Sequence, residues 1–225
     1  MCIRDSAYSV WFLSPAQPIT AFLQSAAAQR VLRDTPVITL IGCRNMWLMA
    51  QEKMKRLLAD AGARLVGNVV KIDQCGSAAS FITTPLWMFT GKRQAVHWLP
   101  PAGISEAEIA DAARFGQRTA EALQHDETLD KTLLQHMGAV KINEKLMSSE
   151  RVGHRSFLVW GKLVMAAGRV SPLLRRLVLC MYIVFLLGMI LTVVPIGALL
   201  KTLLAPLRRE QMQREREYYA APSGE

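Results

Sequence analysis

Between Leu177 and Leu200 the chain reads LVLCMYIVFLLGMILTVVPIGALL and carries no charged residue. As a helix rising 1.5 Å per residue this stretch is roughly 36 Å long, more than the ~30 Å hydrocarbon core of a bilayer. Soluble core helices of that length keep a polar face, and this one has none. A transmembrane helix over 177–200 is therefore expected, with Pro195 kinking its far end.

The charges follow from that assignment. The formal net charge is +9, and the basic excess gathers on both flanks of the apolar run. Lys162, Arg169, Arg175 and Arg176 precede it; Lys201, Arg208, Arg209, Arg214 and Arg216 follow, offset in part by Glu210, Glu215 and Glu217. Anionic lipid headgroups account for such charges better than nucleic acid does, because no aromatic-and-basic strip or finger motif accompanies them. Basic residues at both ends leave the positive-inside rule without a preferred orientation. Cys2, Cys43, Cys75 and Cys180 show no C-x-x-C spacing, and Cys180 falls inside the apolar run, so neither zinc nor a disulfide framework is expected. His97, His125, His136 and His154 have no ligand spacing either, so no metal site is expected. MCIRDSAYSV lacks the sustained apolar core of a secretory signal, which leaves the polar part of the chain in a reducing cytoplasm with the apolar helix as a single-pass anchor.

Before the apolar run, strand and helix patterns alternate. Ser9 to Leu13 reads as a short buried strand; WFLSPAQPITAFL then ends that strand, turns at Ser14-Pro15 and starts a helix near Pro18 that runs to about Ala28. PVITLI, Pro36 to Ile41, is apolar on both faces, as parallel strands covered on two sides are. A helical period follows with Asn45 as N-cap, Met46, Ala50, Met54, Leu57, Leu58 and Ala61 on one face, and Gly62 beyond its end. Ala63 to Ile72 is the next strand, and DQCGSAAS the loop after it. Ser105 with Glu108 forms a capping box for a helix to about Gln124, with Ile109, Ala113, Gly116, Ala120 and Leu123 on its inner face. The expected organisation is a leader over 1–6, a partial α/β domain over 7–124, a linker and juxtamembrane segment over 125–176 with Phe157 to Ala167 lying on the bilayer surface, the membrane helix over 177–200, and a basic polar tail over 201–225 that is helical at first and then frayed.

The order strand, WFLSPAQPITAFL, strand, GCRNMW loop, amphipathic helix, strand resembles the second half of the flavodoxin-like family, including its flavin-dependent quinone and NAD(P)H oxidoreductases. More narrowly, the LIGCRNMW loop joined to a C-terminal membrane helix looks like bacterial proteins labelled dialkylresorcinol condensing enzyme. The resemblance implies a parallel sheet with flanking helices, FMN as cofactor, and two loops at the flavin ring. One carries Trp11, Ser14 and Pro15; the other carries Gly42, Cys43, Arg44, Asn45, Met46 and Trp47. The family's opening strand, the Ser/Thr-and-Gly loop around the FMN phosphate, the helix and the second strand have no counterpart here. MCIRDS fits no part of the family, so the resemblance implies an N-terminally truncated member whose first strand is stripped on one side.

A flavin needs an apolar or aromatic face and a few amides at its polar edge, and loops leaving the same edge of neighbouring parallel strands converge to supply them. Arg44, a cation at the helix end that disfavours cations, suits a role toward an acidic or phenolic substrate group or toward a reduced flavin. Gln74, Gly76 and Ser77 are candidates for a third wall. Cys43 has no His near it in sequence and is not expected to act as a nucleophile. The expectation is an FMN-dependent oxidoreductase at the bacterial inner membrane, its soluble domain cytoplasmic, touching membrane lipids and an apolar or aromatic small molecule, with no nucleic acid partner and with homo-oligomer formation compatible with the fold. Two alternatives stand beside it. One is a non-enzymatic membrane adaptor that uses the same α/β layer as a platform; the other, a hydrolase on a doubly wound sheet, shows no nucleophile-base pair.

Overall fold

The computed structural model describes residues 4–94, 96–193, 196–197 and 209–224. The chain forms two compact units, residues 1–142 with 217–225, and residues 143–216.

The first unit is built on a mixed sheet. β1 (Arg4–Trp11), β3 (Pro36–Cys43) and β4 (Arg64–Ile72) run parallel, while β2 (Ser14–Pro15) pairs antiparallel with the end of β1, giving the order β2-β1-β3-β4. The sheet therefore departs from an all-parallel layout at the turn after Trp11. Phe12 and Leu13 both have positive φ, at 49° and 58°, and reverse the chain in a two-residue hairpin. Such turns match strand twist but usually recruit Asn or Gly, and Phe-Leu offers no sequence signal for one. β1 also starts earlier than expected: Arg4, Asp5 and Ser6 pair with Val37, Ile38 and Thr39, so half of the expected leader lies in the sheet. Along its outer edge, among the described residues, β1 is bonded by the short β2 and by the Ala16 amide donating to the Ser9 carbonyl at 3.0 Å.

The first helical stretch divides in two. α1 (Gln17–Leu23) starts with Pro18 in its first turn, and α2 (Ala26–Leu32) begins afresh because the Ser25 hydroxyl accepts the Ala28 amide at 3.2 Å. α3 (Leu48–Asp60) starts later than Asn45, with Trp47 at its cap. It ends as its sequence dictates: Gly62 at φ 75° sends its amide to Ala59, and Ala63 sends its own to Leu58, the Schellman closure that only a left-handed residue permits. Met54 and Leu58 of α3 are fully buried, and one face of the sheet packs there.

α4 (Ser77–Thr90) ends at Gly91, also left-handed. The expected helix after Ser105 is interrupted at Ala112, giving α5 (Glu106–Asp111) and α6 (Ala113–Gln124), although the Ser105 hydroxyl does accept the Glu108 amide at 3.3 Å. The inner face of α6 is Phe115, Thr119 and Ala122, while Ile109, Ala113, Gly116 and Ala120 are exposed. One large ring buries more apolar area than a row of small residues, and Phe115 sets the rotation of the helix. Beyond α6 the chain is ordered rather than a linker: Leu129, Leu133 and Leu134 are buried, and the Ala139 carbonyl accepts the Val70 amide at 2.8 Å on the outer edge of β4.

The second unit begins with α7 (Glu144–Val170), whose cap Asn143 accepts the Lys145 amide at 3.2 Å. The weak pattern over 125–155 thus ends in the first half of one long helix, and the short apolar piece at 157–167 belongs to its second half. Ser171 closes α7 and caps α8 (Pro172–Gly188), which passes into a π-helical turn over Met189–Val193. The candidate span covers Pro172–Thr192 with a mean hydropathy of 2.1, starting before Leu177 because Ser171-Pro172 is the stronger helix-start signal. Val194, Pro195 and residues 198–200 of the expected span, and the expected kink at Pro195, lie outside the described residues. α7 and α8 pack against each other through Trp160, whose ring centroid lies 5.4 Å from that of Tyr182 and 5.2 Å from that of Phe185.

α9 (Arg209–Ala220) follows. Its first half belongs to the second unit, where Glu215 pairs with Arg151 at 3.0 Å. Residues 217–224 are not frayed. Tyr218 donates to Glu52 at 2.8 Å and lies under Lys55, Tyr219 and Ala220 are buried, and the Ser223 hydroxyl accepts the Asn68 amide at 2.6 Å, all within the first unit. Both outward amides so engaged on β4, Asn68 and Val70, are closed by segments far away in sequence, as an edge strand needs if it is not to recruit other chains.

Candidate functional site at the carboxyl edge of the sheet

Ser9 of β1 stands opposite Gly42 of β3 in parallel register, so Trp11 and Arg44 each lie two residues beyond the same rung on neighbouring strands about 5 Å apart. The two loops singled out in the sequence therefore leave the same edge. Trp11 is 54% exposed, its indole N–H donating to the Ser9 hydroxyl at 3.0 Å, and the neighbouring Phe12 is 70% exposed. Holding Phe12 and Leu13 in the left-handed region costs of order 1 kcal/mol each, strain of the kind that gathers at functional loops.

On the second loop the residues separate. Cys43 and Trp47 face inward; Trp47, 2% exposed, is among the largest side chains of the core and offers no face to a ligand. Pro15 on the first loop is likewise buried. Gly42, Asn45, Met46 and Ser14 are half-buried, and Arg44 is exposed. The Arg44 Nε donates to the Ser80 hydroxyl of α4 at 2.7 Å, a partner that nothing in the sequence announced. Desolvation lowers the proton affinity of this guanidinium, and Asp73 and Cys75 pull it back up.

The third loop is tied to the second. The Asp73 amide donates to the Cys43 carbonyl at 3.0 Å, and its carboxylate accepts the Cys75 amide at 2.8 Å. Gln74 is committed to structure, its side-chain carbonyl accepting the Ser105 amide at 2.8 Å. Gly76, at φ 80° with open space where a Cβ would stand, precedes α4; the side chain of Ser77 lies outside the described residues. Trp47 and Gly76, the residues at the N-caps of α3 and α4, make no side-chain cap bond, and both helices start at this edge. The loop through Ile104 lies over Gly42, whose Cβ would meet the Ile104 Cδ1 at 3.5 Å. Arg93 holds that loop through the Ala102 carbonyl at 3.1 Å, the Ile104 carbonyl, and Glu106 at 2.9 Å.

Beside Gly42 in register is Lys71, 8% exposed, bonded to Glu108 at 2.8 Å and to Asp111 at 2.7 Å. Burial pulls its proton affinity down, and the two carboxylates more than reverse that, leaving it raised. Asp111 is held below the usual carboxylate range, first by its hydrogen bond from Lys71. No cluster of metal-ligating side chains occurs among the described residues. A separate shallow groove, lined by Ala26, Gln29, Arg30 and Arg33, lies along α2. Arg33 packs against Gly62 just ahead of β4, which sets this groove toward the opposite end of the strands.

What this edge can do chemically is hold a flat, partly apolar group against Trp11 and Phe12 while the Arg44 guanidinium answers a negative charge. Compared with protein-family models, with curated proteins and with solved structures, the chain matches none.

Proposed function

We propose that this chain is a membrane-attached, flavodoxin-like oxidoreductase that uses FMN at the carboxyl edge of its sheet to act on an apolar or aromatic precursor of the dialkylresorcinol type, with the α/β unit on the cytoplasmic side of a bacterial inner membrane. The observation that carries the reading is the register of Ser9 with Gly42, which sets an exposed Trp11 and a cationic Arg44 at one height on adjacent parallel strands. The residues fit the cofactor in kind. Trp11 and Phe12 would take the ring, and Arg44 would answer the negative charge of a reduced flavin or of an acidic or phenolic substrate group. Trp47, Cys43 and Pro15, being buried, would support this edge from behind. The flavin, when bound, supplies the electron chemistry; the chain's part is to orient it and to keep substrate and lipid within reach of each other.

The test is direct. The full chain purified in detergent is titrated with FMN while flavin fluorescence is followed. Saturable quenching that Trp11→Ala weakens supports the reading, and a chain that takes up no FMN overturns it.

A non-enzymatic adaptor is the second reading, favoured by the exposure of Ala7, Ser9 and Leu40, which leaves part of one sheet face open. A protein partner whose binding survives both Trp11→Ala and Arg44→Ala would select it.

A further inference from the structure

The chain leaves the α/β unit after Ile142 and re-enters it at Glu217. Residues 217–224 are integral to that unit: Tyr218 bonds Glu52, Tyr219 and Ala220 are buried, and Ser223 holds the Asn68 amide. Residues 143–216 are therefore a closed excursion that begins and ends in one water-facing body. An excursion of that kind crosses a bilayer an even number of times, whereas a single crossing by α8 would strand its two ends on opposite sides.

We propose that α7 and α8 enter the lipid together as an antiparallel hairpin that inserts and returns through the same membrane face. The inference rests on the membrane attachment in the preceding reading and replaces the single-pass anchor expected from the sequence. Phe157, Trp160, Tyr182 and Phe185 interlock across the hairpin: Phe157 lies 6.4 Å from Tyr182, and Trp160 lies against both Tyr182 and Phe185. α7, with 27 residues, is long enough to accompany α8, and the outward residues of its apolar half remain uncovered, with Leu158, Val159, Leu163 and Met165 exposed as Leu177, Ile183, Val184 and Leu187 of α8 are. A face of that extent on a helix pair is a membrane surface rather than scattered exposure.

The turn is built for a headgroup layer. Arg169, Arg175 and Arg176 cluster within one helical turn or so of Ser171 and are exposed, with no acid among them, which matches anionic lipid. The Arg175 side chain lies beside Gly168 across the turn, 3.2 Å from where a Cβ would stand.

The experiment uses the full chain in sealed right-side-out and inverted vesicles from expressing bacterial cells. Lys131→Cys, before the excursion, and Glu210→Cys, beyond its apolar helices, both at exposed positions, are labelled with a membrane-impermeant maleimide over the background of the parent chain. Hairpin insertion requires both positions to label in one vesicle orientation and both to be protected in the other; opposite protection of the two overturns it. In proteoliposomes of phosphatidylethanolamine and phosphatidylglycerol, bimane at Leu163→Cys and at Leu179→Cys should both be quenched by acyl-chain nitroxides. Quenching at Leu179 alone would put α7 in water and overturn the paired insertion. Release of the chain from membranes by alkaline carbonate would overturn membrane attachment itself, and with it this topology.

Discussion

The phenol of Tyr8 donates to the side-chain carbonyl of Gln51 at 2.7 Å, joining the first strand to α3 inside the core. From Gln51 the chain of bonds continues: its amide donates to the Thr39 hydroxyl at 3.3 Å, and that hydroxyl reaches the Asn68 side-chain carbonyl at 2.9 Å. Each of these groups is buried, so the network ties β1, β3, β4 and α3 into one register. Gln51→Leu would strand the Tyr8 hydroxyl and is expected to destabilise the fold by about 1–3 kcal/mol, read from urea unfolding followed by far-UV circular dichroism.

Burial, and secondarily the proximity of Cys43, raises the Tyr8 phenol well above its ordinary value. An acid whose folded pKa is raised keeps its proton longer in the folded state, so stability falls as pH rises above the unfolded value of about 10. Tyr8→Phe should flatten that alkaline decline while lowering stability at neutral pH. Thermal melts between neutral pH and strong alkali would show both effects.

At the acid end the sign is reversed. The hydrogen bond from Lys71 depresses Asp111, so the stability it contributes is present above the ordinary carboxylate range near pH 4 and is lost as pH falls through its lowered value. Asp111→Asn should leave a melting temperature less dependent on pH in acid. The double change Glu108→Gln with Asp111→Asn should cost more than the two single changes added, because it leaves the buried Lys71 ammonium with no carboxylate.

Two tryptophans predict opposite outcomes. Trp11→Ala removes an exposed ring and should shift stability by no more than about 0.5 kcal/mol while weakening flavin uptake. Trp47→Ala empties the core and should cost about 3–5 kcal/mol. Chemical unfolding and FMN titration of the same two variants separate the roles.

Ser223→Ala opens the bond to the β4 amide and is expected to cost about 1 kcal/mol, with faster amide exchange at Asn68 than at Val70, whose partner is the Ala139 carbonyl. Exchange mass spectrometry over β4 reads the difference.

Much of the strand and helix order was legible because it rests on local chemistry. Two-sided apolarity marked β3, Gly62 marked the end of α3, and Ser105 marked the start of α5. What escaped depended on distant partners. The inward turn of Trp47 is decided by the core it meets, the rotation of α6 by Phe115 meeting Lys71 at 5.5 Å, and the hairpin at Phe12-Leu13 by pairing that overrides residue preference. The same holds for α7, where Glu150 is buried and Arg151 pairs with Glu215 across 64 residues. At the candidate site the convergence of two loops was readable from strand order, while the Arg44 to Ser80 bond, joining a loop to a helix 36 residues on, was not.

The serine that closes the outer edge of β4 also sets an order of events during synthesis. Residue 223 is made after the whole of 143–216, so while the ribosome is still extending the apolar helices the α/β unit lacks the Ser223 partner of the Asn68 amide and the tyrosine at Glu52. The outward amide of Asn68 gains its partner only from a segment made after the apolar helices. Under the proposed hairpin insertion, delivery to lipid precedes that last closure, and a nascent chain that missed the membrane would keep both an uncovered apolar hairpin and an unpaired Asn68 amide, two faults that expose it to recognition and removal together.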